Sequence, residues 1–128
     1  MHCLDSSFLI DLLKGDDSAT RKMKEIEGLG EHVSIAAPCV AEILVGAHYK
    51  GGAIVKDTLD LLSRMEILDI DAEVAMEAGR LGAELLRRGH PLPTTDLLIA
   101  ATAKRHGHIL ITRDNDFHGI PGLGIEGY

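Results

Sequence analysis

Five acidic residues stand at or just after short apolar runs: Asp5, Glu42, Asp96, Asp114 and Asp116. Singly, each has a local explanation. Asp5 closes the run Met1 to Leu4 and suits a helix N-cap. Asp96 opens Leu97-Leu98-Ile99-Ala100-Ala101-Thr102-Ala103, which is apolar on every helical face, and could simply favour the helix dipole. Asp114 and Asp116 follow Ile109 to Thr112 and are good turn formers. Glu42 is harder to dismiss. It is the only charge in Pro-Cys-Val-Ala-Glu-Ile-Leu-Val-Gly-Ala. Val40, Ile43, Leu44 and Ala47 make one helical face there, and Ala41 and Val45 extend it. A helix apolar nearly all round is expected to be buried, and a lone carboxylate on it must be met by a cation or by donors. Taken together, the acids point to one chemistry. Clustered carboxylates raise one another's pKa, a strain that a hard cation such as Mg²⁺ or Mn²⁺ relieves. Such an ion can generate a nucleophilic hydroxide and stabilise charge on a phosphoryl group.

The elements that would gather these acids alternate in type. Met1 to Leu4 predicts a strand. Ser6 or Ser7 is placed to cap a helix through Leu13 that Gly15 ends, and a polar helix follows from about Ser18 to Glu27. His32 to Ala36 predicts a second strand. Pro38 suits the first turn of a helix from Cys39 to about Tyr49. Gly51 and Gly52 break it, and a further helix carries Ile54, Val55, Leu59, Leu61 and Leu62. Met65 to Ile70 predicts a third strand, and Asp71 starts a helix to about Arg88. His90 to Pro93 is a loop stiffened by Pro91 and Pro93. Thr94 or Thr95 opens a helix to about Arg105, His108 to Thr112 predicts a fourth strand, and the tail from Gly119 to Tyr128 suits an edge strand. This alternation implies an α/β fold, a parallel sheet covered by helices on both faces. Ligands bind beyond the carboxyl ends of such strands, which is where the acids would converge.

Leu-Asp5-Ser-Ser-Phe-Leu-Ile-Asp, Val-Ala-Glu42-Ile, Thr-Asp96-Leu-Leu-Ile-Ala-Ala and Ile-Thr-Arg-Asp114-Asn-Asp116-Phe, in this order, resemble the motifs of the PIN-domain family and within it the VapC toxins. The resemblance spans nearly the whole chain. It implies a three-layer α/β/α sandwich on a parallel sheet and a site for Mg²⁺ or Mn²⁺. It implies endonucleolytic cleavage of RNA, homodimerisation and inhibition by a small VapB-like antitoxin protein. By motif position Asp5 and Asp96 are the principal metal ligands. Asp114 completes the ligand set or acts through water, and Glu42 binds a second ion or orients the attacking water. Thr112 and Ser6 would hydrogen-bond a ligand carboxylate, and Asp116 is auxiliary. RNA maturation, or binding of RNA or protein without cutting, is the alternative reading.

Composition bounds these readings. The chain has 128 residues, 45% of them hydrophobic, which suits a single domain, residues 1–128, with a substantial core. With aromatics at 3% and a net charge of −7, it is neither a base-stacking platform nor a plain phosphate-binding module. Cys3 and Cys39 lie in apolar stretches and read as buried, reduced residues. No run reaches membrane-spanning length, no cationic secretory leader is evident, and a cytoplasmic location is expected. The histidines form no zinc-like spacing and read mainly as surface or turn residues. Gly122-Leu-Gly124-Ile-Glu-Gly127 opens no helix, so it is no dinucleotide loop. Arg87-Arg88 and Lys104-Arg105 suit helix C-termini better than phosphate contacts. Asp69-Ile-Asp71 lacks the companion loop of an aspartyl phosphatase. A phosphoacceptor receiver domain would want an acid pair after the first strand and a lysine after the last. Asp5 is followed by serines, and no lysine follows Lys104.

Overall fold

The computed structural model describes residues 1–128 and contains five strands and six α-helices. In chain order they are β1 (His2–Leu4), α1 (Ser6–Leu13), α2 (Asp17–Gly28), β2 (Val33–Ala36), α3 (Ala37–Lys50), α4 (Ala53–Leu62), β3 (Glu66–Leu68), α5 (Ala72–Arg87), α6 (Thr94–Arg105), β4 (Ile109–Ile111) and β5 (Ile125–Glu126). A short 3₁₀ helix, Asn115–Gly119, lies between β4 and β5. The sheet order is β3-β2-β1-β4-β5 and every pairing is parallel. The expected α/β/α architecture is therefore what the chain adopts, down to the edge strand in its tail.

The strand order sets the position of the site. The chain runs outward from β1 through β2 to β3, then returns to the far side of β1 with β4. That reversal opens a crevice at the carboxyl ends of β1 and β4, the place where doubly wound sheets bind ligands. Leu4 pairs with Ile111, and the backbone N–H of Asp5 donates to the Ile111 carbonyl at 3.0 Å. The first residues beyond both strands are thereby brought side by side.

The central strands are buried on both faces, as parallel strands under two helical layers must be. Leu4, Ile35, Leu110 and Ile111 pack with Phe8, Leu9, Leu81 and Ile99 in a single aliphatic core. Helix α6 is buried through Ile99, Ala100, Ala101, Thr102 and Ala103, as its all-apolar composition requires. Pro38 occupies the first turn of α3. Gly51 and Gly52 both take positive φ, near 70°, and let the chain reverse into α4.

Several expectations need correction. Helix α3 is not buried all round: only Cys39, Ile43 and Ala47 are inside, while Val45 and Tyr49 are exposed and Glu42 faces solvent. The N-cap of α1 is Asp5, not Ser6 or Ser7, and its side chain makes no capping bond. The 3₁₀ helix was not anticipated, because Asn115 to Gly119 reads as a generic turn. Two histidines are structural rather than superficial. His2 is buried against Glu31 at 2.6 Å, and His108 meets the Ser34 hydroxyl at 2.9 Å.

Because Ile99 is fully enclosed on the helix that carries Asp96, Ile99→Ala should cost about 2–5 kcal/mol. Urea unfolding of the purified protein would show this as a lower midpoint with an unchanged slope.

Candidate active site

Asp5 is the most deeply set of the acids, with 5% of its surface exposed. A buried carboxylate needs donors, and three segments supply them. The Thr112 hydroxyl, beyond β4, donates to Oδ2 at 2.7 Å. The Ser7 hydroxyl, in α1, donates to the same oxygen at 3.0 Å. The Cys39 thiol, in α3, lies 3.9 Å from Oδ1. Burial, and then the Asp5 charge, push that thiol's pKa well up, so it stays protonated and can donate. The capping explanation of Asp5 therefore fails: its oxygens serve side chains converging from three elements.

Thr112 does more than hold Asp5. Its Oγ1 accepts the backbone N–H of Asp114 at 3.0 Å, so one hydroxyl links the ends of β1 and β4. Asp114 caps the 3₁₀ helix, its Oδ1 accepting the N–H of Asp116 at 2.9 Å. The turn-forming role expected of Asp114 is real, and it fixes where this carboxylate stands. Asp116 is exposed. Glu42 is held from α1: the Ser6 hydroxyl donates to its Oε1 at 3.4 Å. Ser6 and Thr112 thus each reach one of the acids.

Electrostatics tie the segments together. The carboxyl of Asp96 is pushed up to about 6. Partial burial is the largest cause, followed by the charges of Asp114, Asp5, Glu42 and Asp116. Glu42 is also raised, by desolvation and then by Asp5. The other four acids named from the sequence therefore all stand within coulombic range of Asp96. They are not collapsed onto a point, for no three acidic, histidine or cysteine side chains stand close enough to enclose an ion. The donor set is nonetheless what a hard cation prefers, all oxygen and strongly anionic. Mg²⁺ in particular is commonly held by one or two carboxylates and otherwise by water.

Sequence reasoning missed two contributors: Ser7 was read as a cap and Cys39 as a core residue. Ser7 follows Asp5 by two residues, a spacing that favours a local side-chain bond. Nothing in the sequence signals the reach of Cys39.

The chain matches the PIN domain family over residues 2–123. It is 39% identical over 66 residues to the tRNA(fMet)-specific endonuclease VapC of Salmonella typhimurium, a match covering 51% of this chain and only about half, 50%, of that relative. It is 27% identical to Ribonuclease VapC2 of Rickettsia felis over all of this chain and 98% of that protein. Its fold superposes on the crystal structure of VapBC2 from Rickettsia felis bound to a promoter DNA fragment, with a TM-score of 0.85 at 27% identity, over 99% of this chain and 98% of that one. The family match spans nearly the whole chain and the fold agrees with it: the chain belongs to the PIN domain family.

Proposed function

We propose that this protein is a Mg²⁺- or Mn²⁺-dependent endoribonuclease that acts as the toxin of a type II toxin–antitoxin pair. The observation that carries the proposal is the gathering of five carboxylates from four segments at one end of the sheet: burial raises the Asp96 carboxyl first, and the charges of Asp114, Asp5, Glu42 and Asp116 raise it further. A divalent cation would relieve such repulsion while leaving the acids ionised. The names of the relatives, VapC endonucleases and ribonucleases, support the same reading.

In this reading Asp5 and Asp96 hold the ion, with Asp114 completing the set directly or through water. The bound ion would supply a hydroxide at neutral pH and stabilise the charge that develops on the phosphoryl oxygens. The residues around it do the rest. Thr112 and Ser7 keep the Asp5 carboxylate oriented, as outer partners of metal ligands do. Glu42 is exposed and its pKa is raised, which suits its carboxylate to take a proton from the attacking water or to hold a second ion. Asp116 is auxiliary. It borders a polar cleft of about 640 Å³ between residues 89–92 and the 3₁₀ helix, where His90 and Asn115 offer donors to an RNA strand.

The partner surfaces follow from apolar exposure. An open groove between α1, α3 and α4 is lined by Ile10, Leu13, Ile43 and Ala47 together with Lys14, Lys50 and Glu42. It reaches the candidate site at Glu42 and suits an apolar, partly acidic antitoxin segment. Val45 and Tyr49 on α3 and Met76 and Leu86 on α5 are exposed and suit contact with a second copy. No helix is long and apolar enough to cross a membrane.

Cleavage of structured RNAs by the purified protein should require Mg²⁺ or Mn²⁺ and stop in EDTA. Asp96→Asn should lose more than the 10–100-fold or so that removing an outer partner costs, while Thr112→Val should fall in that range. No cutting by folded, antitoxin-free protein would favour the non-catalytic binding reading. Repulsion alone gives a second test, made without metal. The Asp96 pKa is higher in the folded than in the unfolded chain, so its ionisation weakens the fold as pH rises from about 4 through 6. In EDTA at pH 8, Asp96→Asn should therefore melt at a higher temperature than the parent protein, and the gap should shrink as pH falls through 6 toward 4. A third test addresses assembly. Tyr49→Lys with Leu86→Glu should yield monomers by light scattering, and a persistent dimer would show that copies meet elsewhere.

A further inference from the structure

Two carboxylates are buried in this protein, Asp5 and Asp11, and the site described above uses only the first. Asp11 lies on α1. The Arg113 Nη1 reaches its Oδ1 at 3.1 Å and its Oδ2 at 3.0 Å. The Tyr128 hydroxyl donates to Oδ2 at 2.6 Å. The Tyr128 ring in turn meets the edge of the Phe8 ring, with centroids 4.8 Å apart at 77°.

Arg113 lies between Thr112, which holds Asp5, and Asp114. The Thr112 N–H makes the last ladder bond of this edge, to the Glu126 carbonyl at 3.1 Å. Beyond it the chain leaves the sheet, and the direction of the turn depends on side chains: Thr112 on the Asp114 N–H, Asp114 on the Asp116 N–H, and Asp11 on Arg113. The side chain of Arg113 is 60% exposed and that of Asp11 only 10%. Such a half-buried pair is a poor device for stability, because desolvating the carboxylate offsets much of the attraction. It is a better device for direction, because the charge-assisted contact of Nη1 with the carboxylate, which Tyr128 also holds, fixes where the end of the Arg113 side chain sits.

We propose that Asp11 is a positioning residue: through Arg113 it fixes the turn carrying Thr112 and Asp114, and so sets how Asp114 faces Asp5 and Asp96. This rests on reading those three acids as the metal-binding group.

The test is Mn²⁺ binding to the RNA-free protein by titration calorimetry, beside steady-state cleavage. Asp11→Asn keeps an acceptor for Tyr128 and removes the charge that Arg113 faces. Arg113→Gln breaks the same tie from its exposed end, where folding is not at risk. Tyr128→Phe removes only the tyrosine arm. Both of the first two variants should bind Mn²⁺ about 10–100-fold more weakly and lose kcat with little change in KM. Tyr128→Phe should lower Tm and leave Mn²⁺ affinity as it was. Unchanged Mn²⁺ affinity in folded Arg113→Gln would overturn the proposal and leave the network a clamp for the fold. An equal loss in Tyr128→Phe would overturn it too, since affinity would then follow general stability. If the unaltered protein bound no Mn²⁺, the metal reading itself would fall, a result distinct from either.

Discussion

Carboxylates gathered at one end of a sheet repel one another, and the rest of this structure is arranged to hold them there. The aliphatic core supplies the force. Leu4, Ile35, Leu110 and Ile111 fix the parallel ladder, and Ile99 through Ala103 lock α6 against it. Asp5 directly follows β1, Asp114 lies three residues past β4 and Asp96 directly precedes the buried stretch of α6, so these acids cannot spread apart without drawing apolar side chains into water. Hydrogen bonds then refine what packing imposes. Thr112 is the pivotal residue, because its one hydroxyl donates to Asp5 and accepts from the Asp114 backbone.

The fold was legible in the sequence where physics leaves one choice. Strands buried on both faces must be short and mainly apolar, and Ile109 to Ile111 and Val33 to Ala36 are, with Ser34 the one polar exception, its hydroxyl bonded to the His2 carbonyl and to His108. An all-apolar helix such as that following Asp96 must be enclosed, and it is. The acids were legible for a related reason: an ionisable residue set at the edge of a buried segment needs some account beyond solvation.

What escaped the sequence depended on exposure or on distance. Composition suggested that α3 is enclosed, yet nothing covers Val45, Tyr49 or Glu42 in one chain. An apolar helix face can be waiting for a partner as easily as packed in a core, and composition alone does not separate the two. Ser7 was misjudged because an N-terminal serine is usually a cap; here its hydroxyl serves Asp5. Asp11 was invisible because Arg113 and Tyr128 lie far along the chain, and such pairings leave no periodic trace.

The charge of the chain fits this architecture once its cations are located. Lys22, Arg80, Arg88, Lys104, Arg105 and Arg113 all face carboxylates of the same chain. Much of the positive charge is therefore committed to holding helices and turns together. That leaves the carboxyl end of β1 and β4 strongly negative, a surface that would turn away a polyanion. On the proposed reading this is a consistent design. A divalent ion held by Asp5, Asp96 and Asp114 would reverse the local sign there alone. The phosphate to be cut is then drawn to one point of an otherwise repelling surface, so selectivity for the reacting position comes from the ion rather than from a broad basic groove. An acidic chain with few aromatics is what that arrangement would allow, because the affinity that lysines or stacked bases provide elsewhere would be supplied here by a local reversal of charge.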